Sequence, residues 1–390
     1  MGSRIGLLGI GAGLLLLIFV PAYLLTLTAG TGIPRDGTTL VVGRDFLNIW
    51  MYGRAAWQPD PAQYYDMERY LRALGPVVGA GYPGQLWSYP PVALLIAAPF
   101  GLLSYMPALG LWILLNIVSF TVALRLWTRD WRLIALLLAS PAALLGLMSG
   151  QFALLAASVV LAVLRWRESR PLLAGCLLGL LTVKPQIALL FPLLFLATGN
   201  VRAFAAAACS SLALAGLVAM LWGTDIWRVY LETGIANQSL VLSDPDRLAG
   251  PFMPTLFMNL RVVGVPVPLA SAAQSGLALL AALLVWRCFR RRPEPADPAP
   301  TLLFLACGLS ATPYILSYDT LSFAAMAVLL LAGGRGGLLA ILAFFLPLLQ
   351  IVAGMAGLPG PGLVPMLVAL SLTGTRKIFD GELKFRSVCP

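Results

Sequence analysis

Long runs of apolar residues alternate with short polar segments along almost the whole chain. The first run covers residues 5–27 and follows Arg4. About 20 apolar residues are enough for an α-helix to cross a bilayer, so this run predicts a retained membrane helix with its N-terminus in the cytoplasm. The alternative is a cleaved signal peptide, but the run is longer than a usual signal-peptide core and lacks a clear small-residue cleavage site.

Further apolar segments follow to the end of the chain, and Pro141, Pro171, Pro185 and Pro192 interrupt those in the middle. Broken helices are tolerated in a membrane only where protein or a water-filled cavity surrounds the freed backbone. The pattern therefore predicts an all-α polytopic membrane protein, one integral membrane domain over 1–390 with about 10–12 spans. The segments are 88–104, 106–127, 133–148, 151–165, 171–198, 203–222, 266–286, 300–317, 320–332, 336–353 and 361–373.

The most polar part of the chain is the segment 28–88, which contains five acids, five arginines and many Trp and Tyr residues. Trp and Tyr favour the membrane–water interface. The stretches FLNIWMYGRAAW and AQYYDMERYLRALG each have apolar residues at helical spacing. We therefore expect two short helices lying along the outer membrane surface.

Composition supports the membrane class. The chain is 59% hydrophobic and 11% charged, with a mean hydropathy of +0.88, whereas soluble proteins carry about 25% charged residues. The net charge of +10 comes from Lys and Arg in loops between apolar runs. This distribution is typical of cytoplasmic loops, and a nucleic-acid partner is not predicted.

The sequence contains no histidine, so any proton transfer falls to Asp, Glu, Tyr or Lys. Its five cysteines have neither metal-ligand spacing nor a place in the long polar loops, so packing is their simplest role.

The basic stretch RCFRRRPEP fixes the predicted topology. It directly follows an apolar segment, so the loop 287–299 should be cytoplasmic. Counting back one segment places 223–263 outside, the cytoplasmic start of the first helix places 28–88 outside, and the basic TRK stretch keeps the C-terminal tail inside. Between 128 and 202 the basic loops do not fit simple alternation, and the topology there stays open.

A few polar residues lie at the ends of apolar runs or within them, where such residues usually have a function. Each also has a purely structural alternative. Arg44 with Asp45 could form an interfacial ion pair, and Lys184 could extend to a lipid headgroup. Asp66 could belong to a solvated helix, Asp319 could cap a helix, and Gln151 could satisfy backbone groups at a turn.

The order of several motifs along the chain indicates a protein family more specifically than any single one of these residues does. GRDFLNIWMYGRAAW and QYYD in the first loop are followed by WSYPPVALLIAAPFGLL, LW at 111–112, SGQFALL and AGCLLGLLTVKPQ. This order resembles glycosyltransferase family 87, the polyprenyl-phosphate-sugar-dependent membrane transferases of the GT-C superfamily, which include actinobacterial mannosyltransferases. The resemblance runs from about residue 40 to 200 and resumes weakly at SATPYILSYDTL.

The resemblance implies a GT-C-type helix bundle and a set of site residues. The catalytic base of the family corresponds to Asp45, and its lysine before a proline corresponds to Lys184. Some relatives carry a histidine in the C-terminal half, where this chain offers only Tyr318 and Asp319. The implied substrate-binding residues are Tyr65, Asp66, Tyr89, Gln151, Tyr318 and Asp319.

Sugar transfer from a lipid phosphate to an alcohol requires a base for the incoming hydroxyl and cationic donors for the departing phosphate. Asp45 is the expected base, and Lys184 and Arg44 are the expected phosphate contacts, with Arg261 as a further candidate. Whether burial or the adjacent Arg44 controls the pKa of Asp45 stays open. No metal or other cofactor is expected, since the acids of SDPDR read more simply as a turn.

We therefore predict a metal-independent, inverting transferase at the extracytoplasmic face of the bacterial plasma membrane. Its partners would be a polyprenyl-phosphate hexose donor, with mannose as the default sugar, a lipid or glycan acceptor, and membrane lipids. The main alternative is a secondary transporter or lipid flippase, and a non-catalytic scaffold is another. Transporters usually carry internal repeats, and none is visible in this sequence.

Overall fold

A computed structural model of the chain describes residues 2–29, 33–38, 40–79, 82–83, 85–237, 239 and 252–374. Helices dominate these residues, and the only β pairing among them consists of isolated bridges near residues 28–41. The predicted all-α polytopic membrane protein is confirmed.

The N-terminal part holds one long helix, two helices in the first loop 28–88 and a further helix just after that loop. Helix α1 contains a π-turn at Leu15–Phe19, and Pro21 follows this turn. Because proline lacks an N–H and its ring crowds the preceding turn, it favours such a local widening. The bounds are α1 Arg4–Leu25, α2 Phe46–Ala55, a 3-10 turn Pro61–Tyr65, α3 Met67–Val78 and α4 Ala93–Leu102.

The middle part forms most of the bundle. Ser140 caps a helix that starts with Pro141, and the helix pair on its two sides is bent by 52°. The break expected at Pro141 is thus present. The bounds are α5 Tyr105–Arg125, α6 Trp131–Leu138, α7 Pro141–Met148, α8 Ala153–Trp166, α9 Pro171–Val183, α10 Pro185–Thr198 and α11 Val201–Trp222.

The C-terminal part adds two short helices and five more bundle helices. Asp297 accepts a hydrogen bond from Ala299 N and caps a helix whose first residue is Pro298, where a missing N–H costs nothing. The bounds are α12 Asp225–Val229, α13 Leu256–Val262, α14 Val267–Phe289, α15 Pro298–Ala311, α16 Ser317–Ala332, α17 Leu338–Met355 and α18 Val364–Gly374.

Five of these helices are long and apolar enough to cross a membrane, and the bent pair α6–α7 makes a sixth if it is one span. Seven shorter apolar helices accompany them in the described residues. The expected number of about 10–12 spans includes such shorter helices and stays a prediction.

Helices α8, α15 and α16 form the centre of the bundle, with nearly all their side chains buried. Helices α1 and α11 lie at its periphery, where 11% and 6% of their apolar stretches are buried. A second core lies under the first loop and is built from aromatic residues, including Tyr52 stacked on Trp87 at a centroid distance of 3.5 Å.

Both helices expected in the first loop are present, and α2 is the more buried of the two. Eight of its ten residues are buried, because the aromatic core of 82–105 packs over it. Helix α2 is therefore covered by protein, and its place along the membrane surface stays a prediction. Helix α3 has the expected amphipathic character, with Tyr70, Leu74 and Val78 on its buried face.

Polar contacts join the helix ends into two groups. One group gathers the basic loops, and we call it the basic end of the bundle. The other group joins the end of α11 and the segment after it to the first loop and to the start of α16. The basic-end contacts are Arg4 to Gly336 O, Arg165 to Leu126 O, Arg167 to Pro293 O, Asn200 to Arg167 O and Arg335 to Asp297. The contacts at the opposite end include Trp222 to Ala56 O, Asn237 to Tyr65 O and Ser317 to Phe252 O.

Candidate active site

Asp45, Gln151 and Tyr89 form one hydrogen-bonded chain at the end of the bundle opposite the basic end. Gln151 Nε2 donates to Asp45 Oδ2 at 2.7 Å, and Tyr89 Oη donates to Gln151 Oε1 at 2.6 Å. Gln151 is buried, and Asp45 and Tyr89 are half-buried. Three residues that the sequence had marked separately therefore form one site, and Gln151 does more than satisfy a turn.

The local backbone explains why Gln151 reaches Asp45. Helix α7 ends at Met148, and Gly150 adopts a left-handed conformation with φ of +60°. A Cβ on Gly150 would lie 2.5 Å from Phe46 Cβ and 2.8 Å from Gly43 O. Phe46 N also donates to Ser149 O at 3.2 Å. The close approach that only glycine permits thus places the start of α2 against the α7–α8 turn.

Lys184 and Asp319 form a buried ion pair close to Asp45. Lys184 Nζ donates to Asp319 Oδ1 at 2.8 Å, and the side chains are 4% and 1% exposed. Lys184 precedes Pro185 between two 3-10 turns, because a residue before proline disfavours helical backbone. The alternative that Lys184 extends to a lipid headgroup is wrong.

Tyr318 completes the C-terminal side of the site. Lys184 Nζ lies 5.0 Å from the centroid of the Tyr318 ring. The Tyr318 hydroxyl is buried and has no hydrogen-bond partner among the described residues. A small cavity reaches Asp319 and is lined mainly by apolar side chains, among them Leu190, Phe191 and Phe304.

Arg44 pairs with Asp36 instead of Asp45. Arg44 Nε donates to Asp36 Oδ2 at 2.9 Å. The alternative of an ion pair between Arg44 and Asp45 is therefore wrong, and sequence reasoning missed Asp36. Asp36 lies in the turn PRDGT, and an Asp is common in turns for conformational reasons alone. Its sequence position therefore gave little indication of a role beside Asp45.

Tyr65 is linked to this site through the backbone of Tyr89, whereas Asp66 caps a helix of the first loop. Tyr65 Oη donates to the Tyr89 backbone carbonyl at 2.7 Å, and Tyr52 Oη donates to the same oxygen at 2.9 Å. Asp66 is exposed, and its side chain accepts a hydrogen bond from Arg69 N at 3.0 Å. This bond caps the start of α3. Asp66 thus belongs to a solvated helix end, as its structural alternative stated.

Burial raises the pKa of the Asp45 carboxyl above its usual range. The hydrogen bond from Gln151 and the positive charges of Lys184 and Arg44 act in the opposite direction, and the negative charge of Asp319 adds to the rise. Burial is therefore the larger effect. A carboxylate of raised pKa is a better base than an ordinary surface Asp.

No group of three or more His, Cys, Asp or Glu residues that could hold a metal occurs in the described part of the chain. Asp244 and Asp246 of the SDPDR stretch lie outside the described residues. The remaining candidate, Arg261, lies in the last turn of α13 and donates to Val265 O at 2.8 Å, just beyond the end of that helix.

The fold and the site together describe a polytopic membrane protein with a polar, partly buried site at one end of its bundle. The family model of glycosyltransferase family 87 matches residues 87–313. This range is more than half of the chain, so the protein belongs to glycosyltransferase family 87 and is a membrane glycosyltransferase. No curated protein and no solved structure matches the chain significantly.

The matched range contains Tyr89, Gln151 and Lys184, whereas Asp45 and Asp319 lie outside it. Each of these two acids is hydrogen-bonded to a residue within the range, Asp45 to Gln151 and Asp319 to Lys184. The fold thus joins both carboxylates to the part of the chain that carries the family assignment.

Proposed function

We propose that the protein transfers a hexose from a polyprenyl-phosphate donor to a hydroxyl of a lipid or glycan acceptor. The main observation in support is the hydrogen bond between Asp45, the expected base, and Gln151. Gln151 lies within the range that the family model matches. Mannose is the proposed sugar, and it rests only on the resemblance to mannosyltransferases.

The proposed location is the extracytoplasmic face of the bacterial plasma membrane. Lys and Arg accumulate in cytoplasmic loops, so the basic end of the bundle is assigned to the cytoplasm. The polar chain from Asp45 to Tyr89 lies at the other end, together with the contacts of the first loop. This assignment also orients the middle loops, because Arg165 and Arg167 contact other members of the basic end.

In the proposed reaction, Asp45 removes the proton of the acceptor hydroxyl as its oxygen attacks the anomeric carbon. The bond from this carbon to the phosphate oxygen breaks, and the phosphate leaves with the electron pair. Attack from the face opposite the phosphate inverts the configuration, so a β-linked donor gives an α-linked product. Gln151 keeps one carboxylate oxygen occupied and leaves the other for the proton.

Lys184 is the proposed contact of the departing phosphate. An ammonium group has three N–H donors, and Asp319 accepts from one of them. The other N–H groups would be directed at the phosphate, and the charge-assisted bonds would strengthen as negative charge develops on it. The donor is a phosphodiester with a single charge, so a cationic side chain can serve it and no metal is proposed.

Radiolabelled polyprenyl-phosphate sugars supplied to membranes containing the protein would test the function. We expect label from the mannosyl donor to appear in a lipid or glycan product that carries the inverted linkage. Asp45→Asn keeps the size of the side chain but removes the base, so turnover should fall by about 100-fold or more. Near-normal turnover of Asp45→Asn would refute the mechanism, and the absence of any labelled product would refute the donor.

A further inference from the structure

The segment that precedes Asp45 is fixed by a partly buried ion pair and an unusual backbone conformation. Asp36 accepts from Thr38 N at 2.9 Å, from Thr38 Oγ1 at 2.6 Å and from Arg44 Nε at 2.9 Å. The side chain of Asp36 is only 1% exposed. Three donors thus hold the carboxylate of Asp36 in one place, and this carboxylate in turn holds Arg44.

Arg44 has a left-handed backbone with φ of +37°. Such a conformation costs a non-glycine residue about 1–3 kcal/mol and persists only where neighbours impose it. Two neighbours do so here, since Asp36 binds the side chain of Arg44 and Gln85 Nε2 donates to its backbone oxygen at 2.9 Å. The peptide that carries Asp45 is therefore oriented by contacts on both sides of Arg44.

We propose that Asp36 is a positioning residue for the transfer reaction, because it holds Arg44 in its left-handed conformation and keeps the guanidinium from pairing with Asp45. This inference rests on the proposed role of Asp45 as the base. Asp36 engages the Nε atom of Arg44, and the expected phosphate contact of Arg44 stays a separate prediction. Asp36 acts only through Arg44 and does not touch the substrate.

The charge around Asp45 makes this role measurable. The charged groups that act on Asp45 are Lys184, Arg44 and Asp319. Lys184 is already compensated by Asp319 and Arg44 by Asp36. Neutral groups near Asp45 are Gln151 and the tyrosines Tyr82, Tyr89, Tyr105, Tyr314 and Tyr318.

Removal of the Asp36 charge would leave Arg44 uncompensated and free to pair with the adjacent Asp45. A positive charge beside a carboxylate lowers the pKa of that carboxylate. Because Asp45 must be ionised to act, a lower pKa moves the acid limb of the activity profile to lower pH. The weaker base also gives a lower maximal rate.

The test measures kcat and donor KM against pH for purified wild type, Asp36→Asn and the double variant Asp36→Asn/Arg44→Gln. For Asp36→Asn we expect kcat to fall by about tenfold, part of the roughly 100-fold or more that general base catalysis supplies. We also expect an acid limb at lower pH and an unchanged donor KM. The double variant removes both charges, so its acid limb should return to the wild-type position.

The matched control is Asp60→Asn, which changes an exposed acid of the same loop whose role is to accept from Ala62 N. It should leave both the rate and the acid limb unchanged. A wild-type profile for Asp36→Asn would overturn the proposal. So would a lower kcat with an unmoved acid limb, since structural damage alone would give that result.

Asp45→Asn, measured in parallel, separates the two proposals. If Asp45→Asn loses turnover and Asp36→Asn keeps the wild-type profile, only the positioning role of Asp36 is overturned. If Asp45→Asn keeps turnover, the proposed base is wrong and the role of Asp36 is overturned with it.

Discussion

Gln151 binds Asp45 through a 2.7 Å hydrogen bond although 106 positions separate the two residues in the chain. The amide oxygen of Gln151 is occupied by the Tyr89 hydroxyl, so its NH₂ group must face the carboxylate. The bond favours the ionised form of Asp45 and opposes the rise in its pKa that burial causes.

Replacement of Gln151 by Leu should therefore raise the pKa of Asp45 further. The acid limb of kcat/KM should move to higher pH, and kcat should fall by about tenfold because the carboxylate loses its orientation. The pH dependence of initial rates is the measurement. Gln63→Leu, in the 3-10 turn of the first loop, is the matched control, and an acid limb that stays in place in Gln151→Leu would contradict the assigned hydrogen bond.

Gly150 should not tolerate a side chain. Its φ is +60°, and a Cβ would lie 2.5 Å from Phe46 Cβ and 2.8 Å from Gly43 O. Gly150→Ala should push Asp45 and Gln151 apart and reduce turnover at least tenfold, in line with the sensitivity of catalysis to displacements of about 1 Å. Gly110→Ala is the control, since its Cβ would meet nothing within 4 Å. Equal turnover in the two variants would contradict this account.

Much of the fold could be predicted because membrane helices have a strong local signature. The apolar runs and the proline breaks follow from lengths and residue types that the sequence displays directly. The burial of α2 could not be predicted this way. Its helical spacing is the same for a surface helix and a buried one, and the aromatic residues that cover it come from 82–105.

The site was predictable as a set of residues but not as an arrangement. Asp45, Gln151 and Lys184 stood out because polar groups are rare in such a chain. Their partners depend on contacts across many positions, as with Lys184 and Asp319, which are 135 positions apart. Adjacency in sequence even suggested the wrong partner for Arg44, since the neighbouring Asp45 concealed the more distant Asp36.

Lys184→Ala should weaken donor use by about 2–3 kcal/mol, the scale of a hydrogen bond to a charged group. It also leaves Asp319 buried without its partner, which by itself destabilises the fold. Lys184→Ala/Asp319→Ala removes both charges and separates the two effects, because it should recover thermal stability without recovering donor KM. Lys184→Arg should recover part of the donor affinity. An unchanged donor KM in Lys184→Ala would refute the phosphate contact.

Asp66 should contribute to stability rather than to substrate binding. Its side chain accepts from Arg69 N at 3.0 Å at the start of α3 and is exposed. Asp66→Ala should cost about 0.5–2 kcal/mol, the usual value of a helix N-cap, with donor and acceptor KM unchanged. Asp66→Ser keeps a capping oxygen and should retain most of the stability. A thermal melt in detergent gives the first quantity, and a raised KM in both variants would restore Asp66 to the substrate site.

The orientation of the bundle can be tested with single cysteines in a variant that lacks the native ones. Position 290 follows α14 at the basic end, and position 66 lies exposed in the first loop. Because basic loops remain in the cytoplasm, a membrane-impermeant thiol reagent added to intact cells should modify a cysteine at position 66 but not one at position 290. After the membranes are opened, both positions should react, which shows that each cysteine is accessible. Modification of position 290 in intact cells would reverse the topology and would place Asp45 and Lys184 on the cytoplasmic side.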